Sequence, residues 1–594
     1  MINALFSLIP VLAGMAAVAS IRNPRYPKLI AAAASAVGLA LACLASYGSF
    51  SWDWFSIGGH AFAIDILVAP LNFMLLVLVM FIGTLVMIYS AGYMSAQSEQ
   101  RRFYIELLAF EAAMALFSIS GGFITLFIAW EFLSLTSYLL IGFWHNRDRA
   151  TRAARKVLII IFLGDLALLG SIVLFWNLFA TLSFTAIMSS LSVSVPPGLY
   201  LAVMLLLIAI FTKSAQFPFH EWLIDAMEGP TPVSAYLHSS TMVKAGVFAA
   251  VLLFPIFQAA GVLYLISAFG IVTAVISTLA ALREFHIKKV IAYSTVQELS
   301  IMLVAIGSGA LLAAIYFFFV QTFYKSLLFF TSGNVMEATG RDYINEQYGL
   351  KSNRLIYLTT LAGVLSLAGF IPFSGFLSTE GISVALSKDV SEYLVMSLIS
   401  FLTSVYIFRW FFYPSRSTQN HSVRSNYLSQ PKSMVYPMAL LALLTLAASA
   451  AFVYMPSFMA YGGSLPFLSG LSMGINIEDS IILSALVFAG AAVSYIAYAR
   501  GTHIKLGAIG KIMYTNPAMT FAYGIIASFI YYVAEGADIF DSWLSSAFDY
   551  IGHFTMMSAT TIRRVSAGDI NLYALAVVSG IICLFAAMYF LVIV

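Results

Sequence analysis

Long apolar runs separated by short polar loops cover most of this chain. A membrane-crossing helix needs about 20 mostly apolar residues, and the apolar pattern predicts sixteen such spans. The predicted spans are 1–20, 29–48, 67–92, 103–119, 121–143, 157–178, 197–225, 236–255, 260–282, 289–307, 310–331, 355–386, 392–412, 434–456, 480–499 and 570–593. Proline and glycine break two of them, 197–225 and 355–386. The pattern predicts an all-α polytopic membrane protein.

The positions of the basic residues support this arrangement. When alternate loops are assigned to one side, starting after the first span, 24 of the 29 lysine and arginine residues fall on that side. Only Lys388 falls on the other side, and the remaining four lie within predicted spans. This distribution follows the positive-inside rule. A wrong number of central spans would destroy it.

The segment 517–564 does not fit the span count. It begins with a proline at the first helical position, and its apolar residues recur with helical spacing from Phe540 to Phe554. Its acidic residues lie largely off that stripe. We predict a long amphipathic helix along the inner surface, followed by a final anchoring span. A hairpin of two membrane spans is the alternative.

The composition excludes a water-soluble globular protein and gives no sign of a cofactor. The chain is 61% hydrophobic and 9% charged, whereas soluble domains carry about 25% charged residues. Its two cysteines, Cys43 and Cys583, lie far apart in apolar runs and predict neither a disulfide framework nor a metal site. No phosphate-binding loop or dinucleotide-binding motif is present. We expect no cofactor in this chain and no nucleic-acid partner.

Several ionisable residues stand inside predicted spans, where each costs about 2.5–3.5 kcal/mol on insertion scales. Residues of this kind mark ion or proton pathways in membrane proteins. A buried lysine can exchange its proton near neutral pH, and a neighbouring carboxylate can switch it. Structural ion pairing, for example between Glu131 and Lys213, is the alternative for any single residue. The candidates are Glu131, Asp165, Lys213, His238, Lys244, Lys325 and Glu380.

The two broken spans have related surroundings. The first break follows Lys213 in KSAQFP, and the second lies in GFIPFSGF from Gly369. Paired broken helices in the two halves of a transporter point to an ion path, although two ordinary proline kinks remain the alternative. The spacing fits two repeats of five helices. The predicted divisions are 1–102 (first three spans), 103–255 (first repeat), 256–413 (second repeat), 414–513 (two further spans) and 514–594 (lateral helix and final span).

Four motifs together resemble a known family. They are WEFLSLTSYLLIGFW, KSAQFPFHEWLIDAMEGPTPVSAYLHSSTMVKAG, HIKKVIAYSTVQE and FIPFSGF. They are similar to the antiporter-like subunits of respiratory complex I, particularly the distal one (chain 5, or subunit L), and to the large subunit of multisubunit Na+/H+ antiporters. The resemblance covers about residues 60–410. It implies two inverted five-helix repeats, a lateral helix, and partner membrane subunits within the bilayer.

The resemblance also implies roles for the candidate residues. Glu131 matches the family's helix-five glutamate and Lys213 the lysine of the broken helix. Thr379 stands where the family has the lysine of its terminal proton path, and Glu380 follows it. The other matches are Asp165 (the acid of the sixth helix), His238 (the helix-eight histidine), Lys325 (the central lysine of helix eleven) and Lys244 (shared with the antiporter branch).

The function expected from this resemblance is proton translocation by a membrane subunit of a complex I-like NADH (or related donor):quinone oxidoreductase. Protons would pass from Lys213 through His238 to Lys325 and leave with the participation of Glu380, while partner subunits transfer the electrons. The alternatives are a subunit of a Na+/H+ antiporter or inorganic-carbon uptake complex, and a structural anchor that lost pumping at Thr379. The alanine-rich spans favour a bacterial or archaeal plasma membrane over the mitochondrial inner membrane.

Overall fold

The computed structural model describes residues 2–499 apart from 22, 24, 58–59, 388–389, 462–464, 469–470 and 472, together with positions 546, 549, 550 and 552. The predicted lateral helix over 517–564, of which only those four positions are described, and the predicted span 570–593 therefore lie outside the described residues. Everything below concerns residues 2–499, which belong to the first of two compact units, residues 1–507.

The described part of the chain is mainly α-helical, and nine of its helices are long and apolar enough to cross a membrane. The first half contains α1 (Ile2–Phe6), α2 (Leu8–Ser20), α3 (Pro27–Cys43), α4 (Pro70–Tyr93), α5 (Gln100–Ser118), α6 (Phe123–Ile141), α7 (Asp148–Phe179), α8 (Phe184–Leu191), α9 (Leu199–Lys213), α10 (Glu221–Asp225), α11 (Thr231–Ser239), α12 (Met242–Leu252) and α13 (Phe254–Ala259). The second half contains α14 (Leu263–Arg283), α15 (Ile287–Gly307), α16 (Leu311–Thr339), α17 (Arg354–Ala368), α18 (Ser374–Leu386), α19 (Val390–Phe412), α20 (His421–Leu428), α21 (Lys432–Ala447), α22 (Ala451–Ala460) and α23 (Ile477–Ser494).

Both predicted helix breaks are present. α9 ends at Lys213 and the next helix begins at Glu221, while α17 ends at Ala368 and α18 begins at Ser374. In each break a backbone amide reaches back into the preceding helix: Gln216 N donates to Phe211 O (2.7 Å), and Phe370 N donates to Leu365 O (2.9 Å). The freed carbonyl and amide groups of the breaks are thus partly satisfied within the protein.

A third break was not predicted. The span predicted over 236–255 is divided into α11 and α12 between Ser239 and Met242. The side chain of Ser239 donates to Ala235 O and that of Thr241 donates to Tyr236 O, both at 2.5 Å. Serine and threonine hydroxyls offer the backbone local partners and so weaken helices, which explains why the apolar pattern alone gave one continuous helix.

A β-hairpin was also missed. The strands β1 (Gly48–Ile57) and β2 (His60–Val68) pair antiparallel between α3 and α4, with a register irregularity between Asp53 and Phe55. Polar and aromatic residues alternate along SFSWDW in β1. An alternation of period two is the strand signal, and it occurs here between two apolar runs that predict membrane spans.

The helix α16 forms the centre of the described bundle. In its most apolar window 94% of the residues are buried, and it packs against α11, α15, α17, α18 and α21. A charge on this helix is therefore removed from both lipid and water. Lys325 lies on α16.

Substitution of Gly375 tests the close packing at the second break. A Cβ atom there would overlap the carbonyl oxygen of Ser366, whereas a Cβ at Gly381 in the same helix would meet the Phe452 ring at 3.4 Å. We expect Gly375→Ala to cost about 1–3 kcal/mol of unfolding free energy because a backbone must shift. Gly381→Ala, the matched control, should stay within about 0.5 kcal/mol. Equal melting temperatures for the two purified variants would contradict this packing.

Candidate functional site

The first buried charge cluster lies where α9 ends. Lys213 Nζ is 3.7 Å from Asp165 Oδ1 and donates a 2.6 Å hydrogen bond to Ser134 Oγ. The Ser134 hydroxyl in turn donates to Asp165 Oδ2 (2.8 Å), and Trp130 Nε1 donates to Asp165 Oδ1 (2.7 Å). The ammonium also lies 4.7 Å above the Trp130 ring. One hydroxyl therefore bridges a buried lysine and a buried carboxylate.

Glu131 is not the ion-pair partner of Lys213. Among the described residues no ion pair includes Glu131, which is half-buried, but it lies within electrostatic reach of both Lys213 and Asp165. Trp130 and Ser134 are four residues apart and share one face of α6. That face carries the cluster. Glu131 follows Trp130 by one residue and so points to a neighbouring face of the helix.

Lys244 connects the first cluster to the centre of the bundle. It is fully buried, and its Nζ donates to the backbone oxygen of Phe318 (2.5 Å) and to Thr322 Oγ1 (2.7 Å), both on α16. Ser214 Oγ donates to Val243 O (2.9 Å), so the residues next to Lys213 and Lys244 are in direct contact. Lys244 thus stands between α9 and α16.

His238 lies among aromatic rings. Its ring centroid is 6.5 Å from that of Trp222 and 5.8 Å from that of Phe329. Within the described part of the chain neither of its ring nitrogens has a hydrogen-bond partner. The structure therefore buries His238 among aromatic rings, without a hydrogen bond to Lys213 or Lys325.

The second charge cluster is centred on α16 and contains a residue that the sequence reasoning missed. Lys325 Nζ is 2.9 Å from Glu298 Oε2 on α15 and donates to Ser294 Oγ (2.5 Å). Glu298 also accepts hydrogen bonds from Gln321 Nε2 (2.8 Å) and the Tyr324 hydroxyl (3.1 Å). Glu298 is the last residue of the motif HIKKVIAYSTVQE. An acid within a predicted span was the signal that would have identified it.

A cavity of about 30 Å³ adjoins the second cluster. Glu298, Phe317 and Thr379 contribute to its wall, and its other polar lining residues are Gln297, Ser383, Ser400 and Thr403. A water needs roughly 10–15 Å³ of such space and two to four polar partners. The cavity can therefore hold about two waters between the Lys325–Glu298 pair and the second helix break.

Glu380 lies apart from this cavity. It is fully buried, its Oε1 accepts a hydrogen bond from the backbone amide of Asn476 (3.1 Å), and it is not among the residues that line the cavity. Its carboxylate interacts electrostatically with Asp479. Thr379, the residue before Glu380 on α18, lines the cavity beside the second cluster.

Arg409, a further buried charge, has a structural environment. Its guanidinium donates to the backbone oxygens of Ala281, Leu282 and Glu284 at 2.6–2.9 Å. These carbonyls belong to the C-terminal end of α14, where a cation is favoured by the helix dipole. No group of three His, Cys, Asp or Glu side chains in the described residues is arranged to hold a metal ion.

Two buried ion pairs, one at the first helix break and one on the central helix α16, lie inside a bundle of membrane-spanning helices. They define an integral membrane protein with buried charges of the kind that mark ion pathways. Comparison with known proteins gives the family. The family described as NADH:quinone oxidoreductase/Mrp antiporter matches residues 120–406, and the N-terminal family of complex I chain 5 matches residues 54–104. NADH-quinone oxidoreductase subunit L of Buchnera aphidicola is 32% identical over 455 residues, 75% of this chain and 72% of that protein. The chain belongs to this family of antiporter-like membrane subunits.

Relatives from both branches of the family are similar to this chain. A Na+/H+ antiporter subunit from Alkalihalophilus pseudofirmus is 35% identical over 58% of this chain, and the match covers 45% of that longer protein. Subunit L of the F420H2 dehydrogenase of Methanosarcina mazei is 29% identical over 90% of this chain and 88% of that protein. A chain of the Mrp complex from Dietzia shares the fold, with a TM-score of 0.72, 22% identity and coverage of 99% of this chain and 63% of that one.

Proposed function

We propose that this chain carries protons across the membrane as an antiporter-like subunit of a complex I-like quinone oxidoreductase. The observation that carries the proposal is the succession of buried polar side chains from Asp165 and Lys213, past Lys244, to Lys325 and Glu298. Each lysine in it has a hydroxyl or carboxylate within hydrogen-bond distance. Proton transfer requires such partners, directly or through one water.

In the first charge cluster, Lys213 is the residue that gains and loses the proton. Asp165 holds the ammonium through Ser134, and Glu131 supplies a second carboxylate within electrostatic reach. A change in the charge of Glu131 would alter the balance between Lys213 and Asp165 without breaking their contact. Glu131 therefore acts as the gate, and Asp165 as the resident counter-ion.

In the second charge cluster, Glu298 and the cavity take the place of a lysine at position 379. Threonine cannot carry charge, but Thr379 lines a space that can hold water beside Glu298. A proton that leaves Lys325 would reach Glu298, then the cavity, and then the second break. Glu380 lies beyond the cavity, beside Asp479, and would act after this step. We further propose sixteen spans in two inverted five-helix repeats.

Substitutions of Ala368 test whether protons pass through the cavity. Ala368 lines the space beside Glu298, so Ala368→Leu should fill the volume that two waters would occupy. We expect proton transport to fall by about 100-fold, the size of effect that one positioned proton-transfer step has. Ala368→Ser keeps the space, adds a hydroxyl and should transport normally. Equal transport by the two variants, measured with purified assemblies in sealed vesicles, would show that protons do not use this cavity.

The second candidate function is that of a Na+/H+ antiporter component, which the similarity to the Alkalihalophilus protein favours. Purification of the assembly under mild conditions separates the two. Copurifying subunits with flavin or iron–sulfur clusters would support the oxidoreductase. In either case we expect the assembly to lie in a bacterial or archaeal plasma membrane. Small membrane subunits without redox centres, together with sodium movement in vesicles, would contradict the oxidoreductase and support the antiporter.

A further inference from the structure

Glu111 is a buried carboxyl that belongs to neither charge cluster. It lies in the middle of α5 and is 0% exposed, and no ion pair among the described residues includes it. Its Oε1 is 2.6 Å from Ser35 Oγ of α3. Its Oε2 has no hydrogen-bond partner in the part of the chain that the structure describes.

With an ionised Glu111, the hydroxyl contacts around it would have one hydrogen too few. Ser35 Oγ contacts both Glu111 Oε1 (2.6 Å) and Thr84 Oγ1 (2.9 Å), and Thr84 Oγ1 donates to Met80 O (2.9 Å). These three contacts share only two hydroxyl hydrogens, because a serine and a threonine have one each. If Thr84 donates to Met80 O, then Ser35 must donate to Thr84. Glu111 must then supply the hydrogen of its own contact with Ser35.

The remaining neighbour cannot donate to Glu111 either. The Tyr236 hydroxyl donates to the backbone oxygen of Val79 (3.0 Å), so its single hydrogen is already used. A Cβ atom at Gly83 would overlap Glu111 Oε1 and lie 2.6 Å from the Tyr236 oxygen. The carboxyl therefore fills a space that exists because residue 83 is glycine. It is enclosed between α3, α4, α5 and α11.

The energies of the two protonation states favour the neutral form. A buried carboxylate without a cation in contact is more costly than a neutral carboxylic acid with one unpaired oxygen. The neutral form leaves only Oε2 unpaired, while the ionised form also leaves one of the three contacts without a hydrogen. Both the hydrogen count and the desolvation cost thus favour the neutral carboxylic acid.

We propose that Glu111 is a proton-binding site that holds its proton as a neutral carboxylic acid, with Oε1–H donating to Ser35. The bound proton completes a chain of hydrogen bonds from Glu111 through Ser35 and Thr84 to Met80 O. This chain joins α5 to α3 and α4. It also keeps a negative charge away from Tyr236, two residues before His238 on α11.

Infrared spectroscopy of the purified full assembly tests this proposal. The difference spectrum of the wild type minus Glu111→Gln should show the C=O stretching band of a protonated carboxylic acid, and this band should shift when water is exchanged for D2O. Glutamine can donate from its amide to Ser35, so the helices should stay together. Glu106→Gln is the matched control on α5, because Glu106 Oε1 lies 2.7 Å from Arg102 Nε and a neighbouring guanidinium favours the charged form of a carboxylate. That control should remove carboxylate bands only.

Ser35→Ala gives a second, independent readout. Removal of the acceptor of the Glu111 proton should move the carboxylic acid band to higher frequency without abolishing it. Loss of carboxylate bands in Glu111→Gln, or an acid band that does not respond to Ser35→Ala, would overturn the proposal. Neither readout depends on proton transport by the lysines.

Discussion

Lys325→Met is expected to abolish proton transport and to destabilise the protein by about 3–5 kcal/mol, the usual cost of removing one member of a buried ion pair. Glu298 would remain buried with only the neutral donors Gln321 and Tyr324. Its charge would then have no cation in contact. Thermal unfolding of the purified assembly measures the stability, and proton uptake by sealed vesicles measures the transport.

The double variant Lys325→Met/Glu298→Gln separates the structural contribution of the pair from its proton-transfer function. Replacement of a whole buried pair by neutral groups of similar size is often close to neutral for stability, so unfolding should return to near the wild-type temperature. Proton transport should stay absent because neither group can titrate. Lys351→Met, at an exposed lysine, is the control. Restored transport in the double variant would reject this pair as a proton carrier.

Lys213→Arg is expected to retain assembly but to lose proton transport by about 100-fold or more. An arginine keeps its positive charge and can still pair with Asp165, but it does not release its proton in proteins. The side chains of Ser134 and Trp130 would still be beside a cation. Proton transport per quinone reduced, compared with assembly on a native gel, checks both parts of the expectation.

Lys156→Arg supplies the matched control for that substitution. Lys156 pairs with Glu221 (2.5 Å) and Asp225 (3.2 Å) and is partly exposed. Arginine there should preserve both the ion pairs and the transport. If Lys213 only holds helices together, Lys213→Arg should behave like Lys156→Arg. Full transport by Lys213→Arg would therefore favour structural ion pairing at the first break.

The sequence predicted the long apolar helices of the described residues because membrane insertion is encoded locally. Twenty apolar residues in a row predict a helix whatever surrounds them, and proline with glycine marks the breaks after Lys213 and Ala368. The hairpin β1–β2 was missed because its signal is an alternation of period two, which a search for apolar runs does not detect. The break at Ser240 was missed because hydroxyl-to-backbone bonds do not change hydrophobicity.

The ion-pair partners of the buried charged residues could be predicted less well than the charged residues themselves. The sequence identified Lys213 and Lys325 as buried charges, but it did not indicate that Asp165 is the ion-pair partner of Lys213, and it overlooked Glu298. Which carboxylate meets a lysine depends on which helix faces are in contact. The structure turns Trp130 and Ser134 toward Asp165 and places Glu131 to the side. The role of Glu111 also depends on contacts between helices that are distant in sequence.

The central claim is that the buried lysines carry protons, and the number of protons moved per quinone reduced tests it most directly. The measurement uses purified assemblies in sealed, sodium-free vesicles with a pH-sensitive dye, with a protonophore to verify that the vesicles are sealed. Our account predicts a lower number in Lys213→Arg and in Lys325→Met/Glu298→Gln, with quinone reduction still detectable. An unchanged number in both variants would contradict it.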